Sequence, residues 1–310
     1  MTASGTVTAS VNADAAQDSS GNNSAASTST DNTINYNNAP SISGTYTFTS
    51  INEDTTSTGV KVSAVLADAG ITAADTNGDT LGIAVTGITG NGTWQFSSDS
   101  TNGTDGTWTA FNQTNTPADT TALLLNQNAW IRYIPDSINS ETAGLTFRAW
   151  DQTTGTSSAS GTASYADTST NGGASAWSTT TGTGTLTVTS VNDIPTLTAF
   201  AAVVDTTPED IEVEITFAEL AAQGDEADAD GTVDAFVVQA VSTGTLKIGT
   251  SSAAAADYAL GTIDTIDSTN NAYWTPAANA NGTLNALELF CTGQQRSRIR
   301  NSRGNCTGFS

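Results

Sequence analysis

Two short stretches gather oxygen-bearing side chains at nearly the same spacing. Asn192-Asp193 stands just before Ile194-Pro195, and Glu209-Asp210 begins fourteen residues after that proline. Upstream, Asn37-Asn38-Ala39-Pro40 is followed by Asn52-Glu53-Asp54, with Glu53 thirteen residues after Pro40. An acidic loop follows each stretch: Asp75-Thr76-Asn77-Gly78-Asp79, and Asp225-Glu226-Ala227-Asp228-Ala229-Asp230-Gly231. Carboxylates and carboxamides are hard donors, and calcium takes roughly six to eight such oxygens. Asn52, Glu53, Asp54, Asp75, Asn77 and Asp79 form one candidate ligand group. Asn192, Asp193, Glu209, Asp210, Asp228 and Asp230 form the second, which is favoured because it joins two recognisable units.

Neither loop is an EF-hand. The first has glycine at its fourth position and Thr86 where the bidentate glutamate belongs; the second has Val237 there. Solvated turns in an acidic protein are the competing account of both groups. A glycosidase pair of carboxylates is a weaker one, since nothing in the sequence fixes two of them across a cleft. The chain has no histidine, which excludes a Ser-His-Asp triad, a Cys-His pair and a His-ligated zinc site. There is no Gly-Lys-Ser/Thr phosphate loop. Trp94, Trp108, Trp130, Trp150 and Trp177 are the one hint of a sugar platform, with Trp150 the best candidate for an exposed ring. Core packing is the default for such residues.

With 31 acidic against 8 basic residues, the net charge of −23 repels phosphate backbones and attracts cations. No nucleic-acid partner is expected. Half of the basic residues, Arg296, Arg298, Arg300 and Arg303, lie beyond residue 290, together with both cysteines, Cys291 and Cys306. The remainder of the chain therefore relies on neither disulfides nor a thiol site. No stretch has the roughly 20 apolar residues of a membrane span. The start lacks the basic and apolar regions of a signal peptide.

The elements that would carry these groups read as strands. Val7, Ala9 and Val11 alternate, as do Ile42, Tyr46 and Phe48; Leu145, Phe147 and Ala149; and Val213 and Ile215. Gly, Asn, Asp and Ser turns separate them, and no long helical period intervenes; Phe217–Gln223 fits a single helical turn. This predicts an all-β chain of tandem antiparallel β-sandwiches in an extended, rod-like arrangement. The expected boundaries are 1–39, the end of one unit; 40–193, a complete sandwich; 194–288, a second, incomplete sandwich; and 289–310, a basic, atypical tail. A shifted reading frame or a chimeric gene end is the favoured explanation of that tail.

The frame Asn192-Asp193-Ile194-Pro195, Pro208-Glu209-Asp210, the acidic loop, Tyr273-Trp274-Thr275-Pro276 and Asn279-Ala280-Asn281-Gly282-Thr283 resembles the cadherin-like tandem repeats of large bacterial surface adhesins. The first unit carries the same marks in Asn52-Glu53-Asp54, Asp75 to Asp79, Tyr133-Ile134-Pro135 and Phe147 to Thr153. Gly5–Ala9, Asp14–Asp18, Gly21-Asn22 and Ala26–Thr33 with Tyr36 resemble the end of an Ig-like repeat of such proteins. The late Asp and closing strand of the pattern are missing from the second unit. The resemblance implies calcium clamped at inter-domain joints and a non-enzymatic, extracellular segment of an adhesin or matrix protein. Its partners would be cell-surface or matrix components, glycans or further copies of the chain among them. A carbohydrate-binding β-sandwich module of an extracellular enzyme is the alternative.

Overall fold

The computed structural model describes residues 5–26, 28 and 33–293. The chain is mostly β, with several antiparallel sheets. It divides into two compact units, residues 1–190 and 191–310. The expected features of residues 294–310, including the arginines and Cys306, lie outside the described residues.

The first unit begins with β1 (Gly5–Thr8) and β2 (Thr33–Tyr36), which pair with each other antiparallel. Then follow β3 (Ser41–Thr47), β4 (Ile51–Asn52), β5 (Val60–Lys61), α1 (Val62–Leu66) and β6 (Ile71–Ala74). Next come β7 (Gly82–Thr89), β8 (Thr93–Ser97), β9 (Thr109–Ala110), β10 (Ala122–Leu125) and β11 (Trp130–Ile134). β12 (Glu141–Trp150), β13 (Tyr165–Ala166) and β14 (Gly182–Thr189) complete the unit. One sheet runs β13-β10-β7-β12-β14-β3-β6, with β4 added beside β14; the other runs β5-β11-β8-β9. All pairings in these sheets are antiparallel except those of β14 with β3 and β4, which are parallel. The apolar residues after Val60 leave the strand for a helical turn. Val62 and Val65 are three apart, and one helical turn turns both inward.

Both sheets feed one core. Ile83, Val85, Leu123, Leu125, Leu145, Phe147 and Leu186 from the larger sheet meet Trp94, Phe96, Ile131 and Tyr133 from the smaller. The larger sheet is buried on its other face as well. Ala84, Leu124 and Trp150 project there, and the long loop between β12 and β14 lays Ala176 and Trp177 over them. The indoles of Trp150 and Trp177 stack at 6.0 Å. Burial on both faces explains the unbroken apolar run Leu123–Leu125 and the unbroken burial of Phe147–Trp150. It also corrects the expectation that Trp150 is exposed: its ring is 1% accessible. Arg148 fastens the same loop, donating Nη1 to the carbonyls of Ser178 and Thr179 at 3.0 and 2.8 Å and pairing with Asp119 at 2.9 Å.

In the second unit, β15 (Val213–Ile215) leads into α2 (Phe217–Gln223), opened by a capping box between Thr216 and Glu219. β16 (Val233–Val241), β17 (Thr245–Gly249), β18 (Ala256–Asp257), β19 (Thr265–Asp267), β20 (Asn271–Thr275) and β21 (Leu287–Gly293) follow. The sheets are β15-β20-β17-β18 and β19-β16-β21. Phe236, Ile248, Ile266, Trp274, Leu287, Leu289 and Cys291 share their core. The last strand thus runs past Leu289, where the composition changes, and alternates inward to Gly293.

The two units repeat one strand order. β15, β16, β17, β18, β19, β20 and β21 pair with one another as β5, β7, β8, β9, β10, β11 and β12 do. Tyr133 and Trp274, each two residues before a proline, hold the same buried place on β11 and β20. Among the described residues, the second unit has no counterpart of β14 or β3.

Candidate metal centre

β7 and β12 position the acidic loop of the first unit. The loop ends just before β7, and the ladder sets Gly82 opposite Trp150, so the residue after Trp150 arrives beside the loop. That residue is Asp151. Single carboxylate oxygens of Asp75, Asp79 and Asp151 lie within 4.8 Å of one another. Asp151 is 3% accessible and is held by its surroundings. Its Oδ1 accepts from Thr153 N and Oγ1 at 2.9 and 2.7 Å, and its Oδ2 accepts from Asn37 Nδ2 at 2.7 Å. Asp75 Oδ1 accepts the amide of Asn77 at 2.6 Å, which curls the loop around the cluster.

Two oxygens stand out. Asn37 Oδ1 and Asp75 Oδ2 are buried and have no hydrogen-bond donor. Buried oxygens without donors are costly, and a cation is one of the few things that satisfies them. The Asp79 carboxyl is pushed above the usual carboxylate range, first by burial and then by the charges of Asp75 and Asp151. All donors here are oxygens, with no imidazole or thiolate among them. The set fits calcium or magnesium and not zinc or copper.

The second unit holds a related but different group. Asn38 N–H donates to Asn77 Oδ1 at 3.1 Å in the first unit, and Asp193 N–H donates to Asp230 Oδ1 at 3.0 Å in the second. In both units, then, the chain before the proline is tied to the loop residue that precedes a glycine. Asp228 occupies the place of Asp75, and its Oδ1 is again buried with no donor, as is Oε2 of nearby Glu226. The counterpart of Asp151 differs. Gly293 stands opposite Val233 as Trp150 stands opposite Gly82, and the residue after Gly293 is Gln294, an amide outside the described residues. Among the described residues, the cluster of three carboxylates lies in the first unit.

The other candidates lie elsewhere. Asn52 pairs with Thr189 at the end of β14, and Glu53 N–H donates to Thr189 O at 3.0 Å. Asn38 and the Asp75 loop sit where β3 begins; Asn52, buried Glu53 and exposed Asp54 sit beyond where it ends. Glu209 lines a cleft of about 340 Å³ with Thr207, Trp274 and Asn281. Asp210 Oδ1 accepts from Asn279 N at 3.4 Å, and Asn192 Nδ2 folds onto Asp193 O at 2.8 Å. Sequence reasoning did not single out Asp151 or Asn37 as candidates, although both stand inside motifs it quoted. Of the tryptophans, Trp94 and Trp177 are buried like Trp150, and Trp108 and Trp130 are half-buried. The Arg132 guanidinium lies 4.1 Å over the Trp108 ring and the Lys61 ammonium 5.4 Å over that of Trp130. No family model, curated protein or solved structure matches the chain. No helix among the described residues is long and apolar enough to cross a membrane.

Proposed function

We propose that this chain is a non-enzymatic repeat segment of an extracellular bacterial adhesin or matrix protein, built of tandem β-sandwiches and rigidified by calcium. The observation that carries the proposal is the convergence of Asp75, Asp79 and Asp151 with the buried, donorless oxygens of Asn37 and Asp75. Three carboxylates at this separation repel each other when ionised, and burial adds to the cost. A divalent cation cancels that repulsion and binds the folded state alone, so it stabilises by mass action.

Its structural effect follows from where the ligands come from. Asn37 precedes β3, the Asp75–Asp79 loop precedes β7, and Asp151 follows β12. One ion would lock together the start of the unit and the ends of two central strands. Such a clamp stiffens a module without chemistry, and a tandem array of stiffened modules suits projection from a surface. The burial of Trp94, Trp150 and Trp177 argues against a coplanar aromatic strip and so against the carbohydrate-binding alternative.

The test is thermal unfolding with calcium and with chelator, followed on the wild type and on Asp79→Asn. A midpoint that calcium does not move in the wild type would sink the proposal. A calcium shift that survives undiminished in Asp79→Asn would move the site elsewhere.

A further inference from the structure

The chain contains five Asn-Gly steps, at Asn77, Asn91, Asn102, Asn171 and Asn281. Asn-Gly is the dipeptide most open to intramolecular attack, because glycine puts no side chain in the way of its own backbone nitrogen. That nitrogen must be able to leave its hydrogen bond to react, and the fold treats the five steps differently. Gly92 N is bonded to Tyr133 Oη at 2.6 Å, Gly103 N to Ser100 Oγ at 3.0 Å and Gly172 N to Trp177 O at 2.9 Å. Gly78 N reaches Asp75 O at only 3.4 Å, the weak end of the range. Gly78 is exposed, has a φ of +78°, and has no atom within 4 Å of where a side chain would start.

Asn77 has a second feature. Its Oδ1 accepts the Asn38 N–H at 3.1 Å. A fixed backbone donor on a carbonyl oxygen stabilises the negative charge that grows there when the carbon is attacked. The second unit supplies an independent indication of what the position tolerates. There the same bond, from Asp193 N–H, ends on the carboxylate of Asp230, again followed by glycine.

We infer that Asn77-Gly78 is a self-modification site, at which the Asn77 carboxamide is converted to a carboxylate that enlarges the acidic cluster of the first unit. The Gly78 nitrogen bonds to Asn77 Cγ, and ammonia leaves with the proton from that nitrogen, giving a succinimide. Water then opens the ring. Cleavage at the Cγ–N bond restores the normal chain with aspartate at 77, matching Asp230 of the second unit. Cleavage at the other carbonyl gives the isoaspartyl form, which lengthens the backbone inside the loop. The conversion stands on local geometry alone; its consequence for cation affinity rests on the proposed calcium site.

The experiment incubates the full chain at neutral pH, folded and in urea, and maps its peptides by mass at intervals. In the folded chain Asn77 should gain the mass of an amide-to-acid change at least about tenfold faster than Asn91, Asn102 and Asn171, while in urea the rates converge. Asn281, whose glycine is also open (φ +87°), should fall between. Equal folded rates for Asn77 and the three held steps would overturn the inference, as would an Asn77 that reacts more slowly folded than in urea. Asn77→Gln blocks the reaction, because its ring would need an extra atom. Calcium titration of Asn77→Asp separates the two ideas. Tighter binding than in freshly prepared wild type supports the enlarged cluster. Conversion at Asn77 in a chain that binds no calcium in either form would leave the modification standing and remove the metal site.

Discussion

Asn37 and Asp151 are 114 residues apart in sequence and share a 2.7 Å hydrogen bond, from Asn37 Nδ2 to Asp151 Oδ2. The bond joins the chain entering the first unit to the loop leaving β12. It leaves Asn37 Oδ1 buried and without a donor beside the acidic cluster. Asn37 thus donates to one carboxylate while its own carbonyl oxygen stays unsatisfied.

Asp151→Asn tests this arrangement. Calcium at about a hundred times its dissociation constant stabilises by about 2.7 kcal/mol, and for a unit of about 150 residues that raises the midpoint by roughly 5–10 °C. The variant should lose most of this shift and unfold somewhat below the wild-type midpoint in chelator, since an amide keeps the contacts to Thr153 through Oδ1 but puts a donor where Oδ2 accepted from Asn37. Asp210→Asn should keep the shift, because Asp210 meets Asn279 and not the cluster. Calorimetry of the three chains with and without calcium decides between these outcomes.

A second prediction concerns the loop that delivers Asp151. Arg148 is 8% accessible, and its guanidinium holds two carbonyls of that loop as well as Asp119. Arg148→Met keeps the stem packed but strands the carbonyls of Ser178 and Thr179. It should cost about 2–3 kcal/mol in urea unfolding. Asp119→Asn should cost less, roughly 1 kcal/mol, because the Asp119 side chain is half exposed and its charge is screened by water. Equal costs would mean that the ion pair, not the loop anchoring, carries the stability.

Much of this was legible in the residues, and what was not has a physical reason. β12 announces itself by the alternation of Leu145, Phe147 and Ala149, and the Asp75 loop is contiguous, so both could be read directly. That alternation also implies that Trp150 lies on the face opposite Phe147 and Ala149, where the structure has it. What alternation does not say is whether that face meets water. A loop with little apolar periodicity covers it, and only Ala176-Trp177 hints at this. Asp151 was passed over for a related reason: its partners are set by the register of β12 on β7, a nonlocal fact. Glu53 fits its motif, yet β3 and β4 carry it to the end of the unit away from Asp75.

Acid titration gives a third prediction. The Asp99 carboxyl is pulled down to about 2 by hydrogen bonds from the side chains of Ser160 and Ser97 and from the Thr107 backbone. The unfolded value is about 3.9. The folded value is the lower one, so the stabilisation is complete above the unfolded pKa and is lost as pH falls through the folded one. Asp99→Asn should therefore be less stable than the wild type at neutral pH, and the difference should shrink between pH of about 4 and about 2. Urea midpoints of both chains across that window provide the measurement. A difference that stays constant to the acid end would show that the charge of Asp99 contributes nothing.

The last prediction reads the opening of the second unit through one atom. Cys291 sits inward on β21 at 5% accessibility, opposite Phe236 on β16. Burial first, and then the charges of Glu226, Asp228 and Asp225, push its thiol up to about 11. Thiol reagents attack the thiolate, so Cys291 in the folded unit should be nearly inert at neutral pH. With Cys306→Ser in place, Cys291 is the only thiol, and its labelling rate reports how often β21 leaves β16. Labelling should be slow in buffer and accelerate with urea along the unfolding curve of the second unit. Phe236→Ala removes the ring opposite Cys291 and should destabilise by about 3–5 kcal/mol, speeding labelling accordingly. Fast labelling in buffer, unchanged by Phe236→Ala, would mean that the strand past Leu289 is not part of the folded unit.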